Sequence, residues 1–134
     1  MIKTKTNPLR YFMKMRHLIA CFCLVSLSLS LNAQDKKLKR GIEKYNFHAY
    51  EEAIVFFKKA YDEDKTSITS LRYLANSYRH LKEYQNAEFY FTLVVNSDSV
   101  TSEDHLYFGQ SLRANGKLIA AKDQFMQFAK NEEN

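Results

Sequence analysis

Small and large apolar residues return at a fixed interval along the chain from residue 34 onward. Ala53, Ala87 and Ala121 are 34 residues apart, as are Phe57, Phe91 and Phe125. Gly41, Ala75 and Gly109 form a third column, and Tyr50, Tyr84 and Leu118 a fourth. A shared period of this length is the mark of stacked supersecondary units. The residue types suit paired helices, because small residues let two helices approach and large rings fill the space between one pair and the next. Turn and capping residues divide the pattern into helices at about 35–47, 50–64, 68–81, 84–96, 102–114 and 118–131. Thr66-Ser67 and Thr101-Ser102 are cap-type residues, Glu103-Asp104 places negative charge in a first turn, and Asn115-Gly116 ends a helix with residues that tolerate a left-handed turn. No segment carries a strand signal, so the predicted fold class is all-α.

These columns resemble the tetratricopeptide-repeat (TPR) family over essentially all of residues 34–134. The second repeat carries Leu71, Leu74, Ala75, Tyr78, Tyr84, Ala87 and Phe91 at the family's signature positions. The first matches at Gly41, Tyr50, Ala53, Phe57 and Ala60, and the third at Phe108, Gly109, Leu112, Gly116, Ala121 and Phe125. Lys65 and Ser99 stand where a proline is common, and Arg40 and Lys44 replace apolar residues of the first helix, which the resemblance makes the exposed edge of the stack. The resemblance implies three helix-turn-helix repeats, 34–67, 68–101 and 102–134, stacked as a short right-handed superhelix. Its inner surface would then be lined by Leu38, Lys39, Ile42 and Tyr45, by Arg72, Tyr73, Asn76 and Arg79, and by Leu106, Tyr107, Gln110 and Arg113. Rings there supply contact area, the amides pair with a peptide backbone, and the guanidinium groups meet carboxylates. The implied ligand is an acidic or C-terminal peptide. Arg72 and Asn76 occupy positions where some TPR proteins hold a terminal carboxylate, although Tyr107 replaces an expected asparagine.

The first 33 residues read differently. Lys3, Lys5, Arg10, Lys14 and Arg16 precede an apolar run from Leu18 to Leu31, and Ala33 supplies a small residue for a peptidase. That order is a Sec signal peptide, with an uncleaved membrane anchor as the alternative. Leu18-Ile19-Ala20-Cys21 matches a lipobox, but the apolar run follows the cysteine instead of preceding it, which argues against lipidation. Without the leader no cysteine remains, so disulfides cannot staple the domain. All five leader cations also leave the count: the chain's net charge of +5 becomes 15 basic against 15 acidic residues. Neutrality removes the electrostatic reason to expect a nucleic-acid partner.

Catalytic chemistry has little to stand on. His48, His80 and His105 are single, with no second histidine at ligand spacing, and Asp62-Glu63-Asp64 lacks the glycine and distant glutamate of a calcium loop. The three glycines are taken up by helix packing and turns, leaving no phosphate loop. The expectation is a non-enzymatic protein without cofactor or metal. At the C-terminal end Leu112, Phe125 and Phe128 lack a covering helix, which suggests a partner protein, a homodimer through the last helix, or further domains of a longer polypeptide. A leader ending Leu-Asn-Ala-Gln directly before the repeats resembles exported Bacteroidetes envelope proteins, in some of which a TPR segment precedes an OmpA-like peptidoglycan-binding domain of a secretion or gliding assembly. The expected role is a periplasmic or envelope scaffold for a protein partner, touching the membrane only through an uncleaved leader. The alternative is a self-associating structural module.

Overall fold

The computed structural model describes residues 36–132, so the signal-peptide reading of residues 1–33 lies outside the described residues. Among them are six helices and no strand: α1 (36–46), α2 (Tyr50–Glu63), α3 (Ile68–His80), α4 (Tyr84–Val95), α5 (Ser102–Ala114) and α6 (Leu118–Glu132). Lys37 at the start of α1 pairs with Glu63 at the end of α2, while Tyr45 and Tyr50 meet at the opposite end. The two helices are therefore antiparallel. Each later helix packs on the one before it.

Local chemistry explains where these helices begin. Asp64 accepts hydrogen bonds from the Thr66 amide at 2.9 Å and the Thr66 hydroxyl at 2.6 Å, which folds the chain back before α3. Ser67 then caps α3, its hydroxyl accepting from the Ser70 amide. Thr101 caps α5 through a reciprocal box: its hydroxyl accepts from the Asp104 amide, and the Asp104 carboxylate accepts from the Thr101 amide at 3.0 Å. Such boxes satisfy donors that a helix N-terminus leaves bare.

The turns within the helix pairs are built alike. Ala49, Glu83 and Lys117 donate backbone bonds to the carbonyls of Lys44, Tyr78 and Leu112, while His48, Lys82 and Gly116 donate to those of Tyr45, Arg79 and Arg113. This pair of bonds is the Schellman closure of a helix C-terminus, and it requires a left-handed residue. His48, Lys82 and Gly116 supply it at φ 61°, 62° and 78°. Only one of the three is glycine, so two turns hold a conformation that side chains disfavour by about 1–2 kcal/mol.

The core follows the small-and-large columns. A Cβ on Gly41 would lie 2.5 Å from the Phe57 ring, and one on Gly109 would lie 2.6 Å from Phe125. Each ring thus occupies space that only glycine leaves open. Phe57 and Phe91 are fully buried, the first stacked on Tyr73 of α3 and the second on Phe108 of α5. Burial of a side chain of this size contributes about 1.5–3 kcal/mol. Leu112, expected to lie wet at the open end, is instead 4% exposed, because it belongs to the core cluster with Phe91, Phe108 and Ala121. Phe125 and Phe128 are half-buried. The charged edge is at α1, where Arg40 is exposed and Lys44 pairs with Glu52 at 2.6 Å.

Candidate functional site

Three of the twelve residues expected to line a groove, Asn76, Tyr107 and Gln110, meet around the guanidinium group of a fourth, Arg79. Arg79, on the last turn of α3, donates from Nε to Asn76 Oδ1 at 3.2 Å and from Nη1 to Gln110 Oε1 at 3.5 Å. Its guanidinium carbon lies 4.2 Å from the centre of the Tyr107 ring. A charge over a ring face is attracted by the ring quadrupole, and the amide oxygens on either side hold it there. Asn76 is itself fixed, donating from Nδ2 to the Arg72 carbonyl at 3.1 Å. Arg79 and Gln110 then join Arg113, Tyr84 and Ala114 around a cleft of about 260 Å³. Two guanidinium groups and an amide converge on it. Arg113 makes no ion pair among the described residues, and its guanidinium lies 6.0 Å from the Phe125 ring.

Tyr73 sits at the other side of this arrangement. It stacks on Phe57 at 4.9 Å and meets Tyr45 edge-on at 5.1 Å. Tyr45 in turn lies 3.1 Å from His80 Nε2, which is 3.4 Å from Arg79 Nη2. The His80 ring lies flat on Tyr50, with centres 4.5 Å apart. Partial burial, then the neighbouring positive charge of Arg79 and the His48 ring, lower the His80 pKa below its ordinary 6.5. His80, Tyr50 and Tyr84 were not expected at the site. The sequence places each of them near a helix end, but only packing shows that those ends adjoin Arg79.

Arg72 is placed otherwise than the sequence suggests. Its Nε donates to the Asp104 carboxylate at 2.8 and 3.0 Å, and its Nη2 donates to the same carboxylate and to the Ser99 carbonyl, each at 2.8 Å. Asp104 is 1% exposed. A buried carboxylate needs such a partner, because leaving it unpaired costs several kcal/mol. Hydrogen bonding to Asp104, partly opposed by burial, raises the Arg72 pKa further. The guanidinium that the resemblance offers to a ligand's carboxylate is committed to one inside the molecule. Of the remaining inward positions, Leu38, Ile42, Tyr45 and Tyr107 pack half-buried against the core, Leu106 is half-buried and Lys39 is exposed.

No family model and no curated protein matches the sequence. Among solved structures, the second TPR of Spaghetti (RPAP3) bound to the HSP90 peptide SRMEEVD is similar, with a TM-score of 0.69 and 22% identity over 73% of this chain and 91% of that one. The chain has the all-helical fold of a TPR domain.

Proposed function

We propose that the chain is an interaction module built of three TPR repeats, 34–67, 68–101 and 102–134, whose superhelical inner surface holds an extended acidic peptide. The Arg79 network carries the proposal. Its guanidinium is pre-positioned by Asn76, Gln110 and Tyr107, and beside it Arg113 is free to pair, so a carboxylate entering the cleft meets two cations already in place. Preorganisation of this kind lowers the ordering cost of binding. Tyr73 and Tyr45 extend the surface with rings on which a side chain can lie. The reading assigns binding and no catalysis. A similarly folded domain, the TPR of RPAP3, was solved with an acidic peptide, which supports the choice of ligand class.

The leader reading adds the place of action: residues 1–33 export the chain, and the mature protein starting at Gln34 docks a partner in the periplasm or envelope. Its likeness to exported OmpA-like envelope proteins suggests a partner in a membrane assembly. N-terminal sequencing of the protein from an envelope fraction tests this directly. Gln34 is the expected first residue, and Met1 would contradict cleavage.

The peptide assignment is tested by calorimetric titration of SRMEEVD and of the same peptide with both glutamates changed to glutamine. Removing two charges that face guanidinium groups should weaken binding about tenfold. Equal affinity of the two peptides, or no binding of either, would contradict the reading.

A further inference from the structure

The second helices of the hairpins carry corresponding faces, and two of those faces are covered. On α2, Phe57 is covered by Tyr73 of α3. On α4, Phe91 is met by Phe108 of α5, and Glu88 accepts hydrogen bonds from Asn115 and Lys117. The corresponding residues of α6 are Phe125 for Phe91 and Lys122 for Glu88. These line an open cleft of about 320 Å³ with Arg113, Leu118 and Met126. Among the described residues α6 packs on α5 alone. Leu118, Ile119 and Met126 remain 65%, 82% and 51% exposed.

The charge on this face is reversed relative to the covered one. Where α4 offers a carboxylate, α6 offers the Lys122 ammonium beside the Arg113 guanidinium, and neither makes an ion pair among the described residues. We propose that the cleft receives an amphipathic α-helix of a partner protein, one that carries carboxylates at its C-terminal end. Seated as α5 sits on α4, that helix sets a ring against Arg113, as Tyr107 lies against Arg79. The next residue is apolar and meets Phe125, as Phe108 meets Phe91. A second apolar residue follows the ring by five positions, in the place of Leu112, and carboxylates follow the ring by eight or ten, in the turn that closes the helix, in the places of Asn115 and Lys117. The negative end of the helix dipole adds to the attraction for Lys122 and Arg113.

The corresponding segments of a second copy have the wrong chemistry for this seat. At the positions of Tyr107, Phe108 and Leu112, α1 carries Lys39, Arg40 and Lys44, so the α1 of a second copy brings cations to a basic cleft. Residues 1–33 contain five cations and no acid.

The cleft shares Arg113 with the inner groove, but the test of this inference uses a different ligand and a different residue, Lys122. A labelled, helix-stapled peptide of residues 102–117 is titrated against the full chain by fluorescence anisotropy, in its native form and with Asn115→Glu and Lys117→Glu. The acidic form should bind about tenfold more tightly, since both added carboxylates face the Lys122 ammonium. The exposed substitution Lys122→Glu should reverse that preference without unfolding the protein. Equal binding of the two peptides, failure of both to bind, or an unchanged preference in Lys122→Glu overturns the proposal. Light scattering that shows a dimer lost on Ile119→Asp would overturn it as well, by assigning the face to a second copy.

Discussion

Between α2 and α3 the contact is aromatic: Phe57 lies on Tyr73, and Tyr45, Tyr50 and His80 close its end. Between α4 and α5 and along α3 to α5, charged and amide groups surround the Phe91–Phe108 pair. Arg72 holds Asp104, Glu88 is held by Asn115 and Lys117, and Arg79 reaches Gln110. Both contacts rest on the same small-and-large columns. The positions that differ are those the period leaves free, with Leu38 and Ser70 in the first contact where Arg72 and Asp104 stand in the second. The columns set the distance between helix pairs, and the free positions decide what holds them. The two contacts should therefore fail under different conditions.

The largest effect is expected in the aromatic contact. Phe57→Ala should cost about 3–5 kcal/mol in urea unfolding, because a fully buried ring leaves a cavity walled by Gly41 and Tyr73. Phe125→Ala, at the corresponding place on the open α6, should cost less than half as much. Equal losses would mean that the neighbouring helix contributes nothing to the ring's burial.

In the charged contact, Asp104→Asn should cost about 2–4 kcal/mol, since it leaves the Arg72 guanidinium facing a neutral amide and weakens the cap on α5. A loss below about 0.5 kcal/mol, the size expected of a surface pair, would show that the bridge is not structural.

A smaller gain should come from Lys82→Gly. Relief of the left-handed strain, less the added freedom of the unfolded chain, leaves about 0.5 kcal/mol of stabilisation. A lower melting temperature would contradict the Schellman account of that turn.

The weakest effect separates the two contacts by pH. His80 resists protonation in the fold, so its contribution is present above 6.5 and fades as the pH falls from there toward its lowered folded value. Burial pushes the Glu88 carboxyl up, but the bonds from Lys117 and Asn115 outweigh it and hold the pKa below 4.5. That contribution is present above 4.5 and is lost only as the pH falls below it. Amide exchange followed from pH 7 to pH 4 should show the aromatic contact loosening first, and His80→Asn should remove the early step. The opposite order would contradict both assignments.

Much of this architecture is legible in the residue columns. The second helix was expected at 50–64 and spans Tyr50–Glu63, the third at 68–81 and spans Ile68–His80, and the fifth runs over Ser102–Ala114 as expected. Periodic packing and cap residues are local signals, so they survive in the sequence. The Arg72–Asp104 bridge is not legible in this way, because its partners are 32 residues apart and Asp104 reads equally well as an acid in a first turn. His48 and Lys82 also conceal their left-handed turns, since only Gly116 carries the residue type that announces one. The sequence supplies a set of candidate positions. Which of them is tied up inside the molecule, as Arg72 is by Asp104, and which borders a cleft, as Arg79 does, depends on side-chain partners that no spacing encodes.

That division is tested by titrating an acidic peptide into Arg79→Ala and Arg72→Ala while following the melting temperature of each. The account predicts that Arg79→Ala loses about tenfold in affinity at a nearly unchanged melting temperature, whereas Arg72→Ala melts earlier and binds as the parent does once folded. Parent-like binding by Arg79→Ala, together with abolished binding in an equally stable Arg72→Ala, would contradict it.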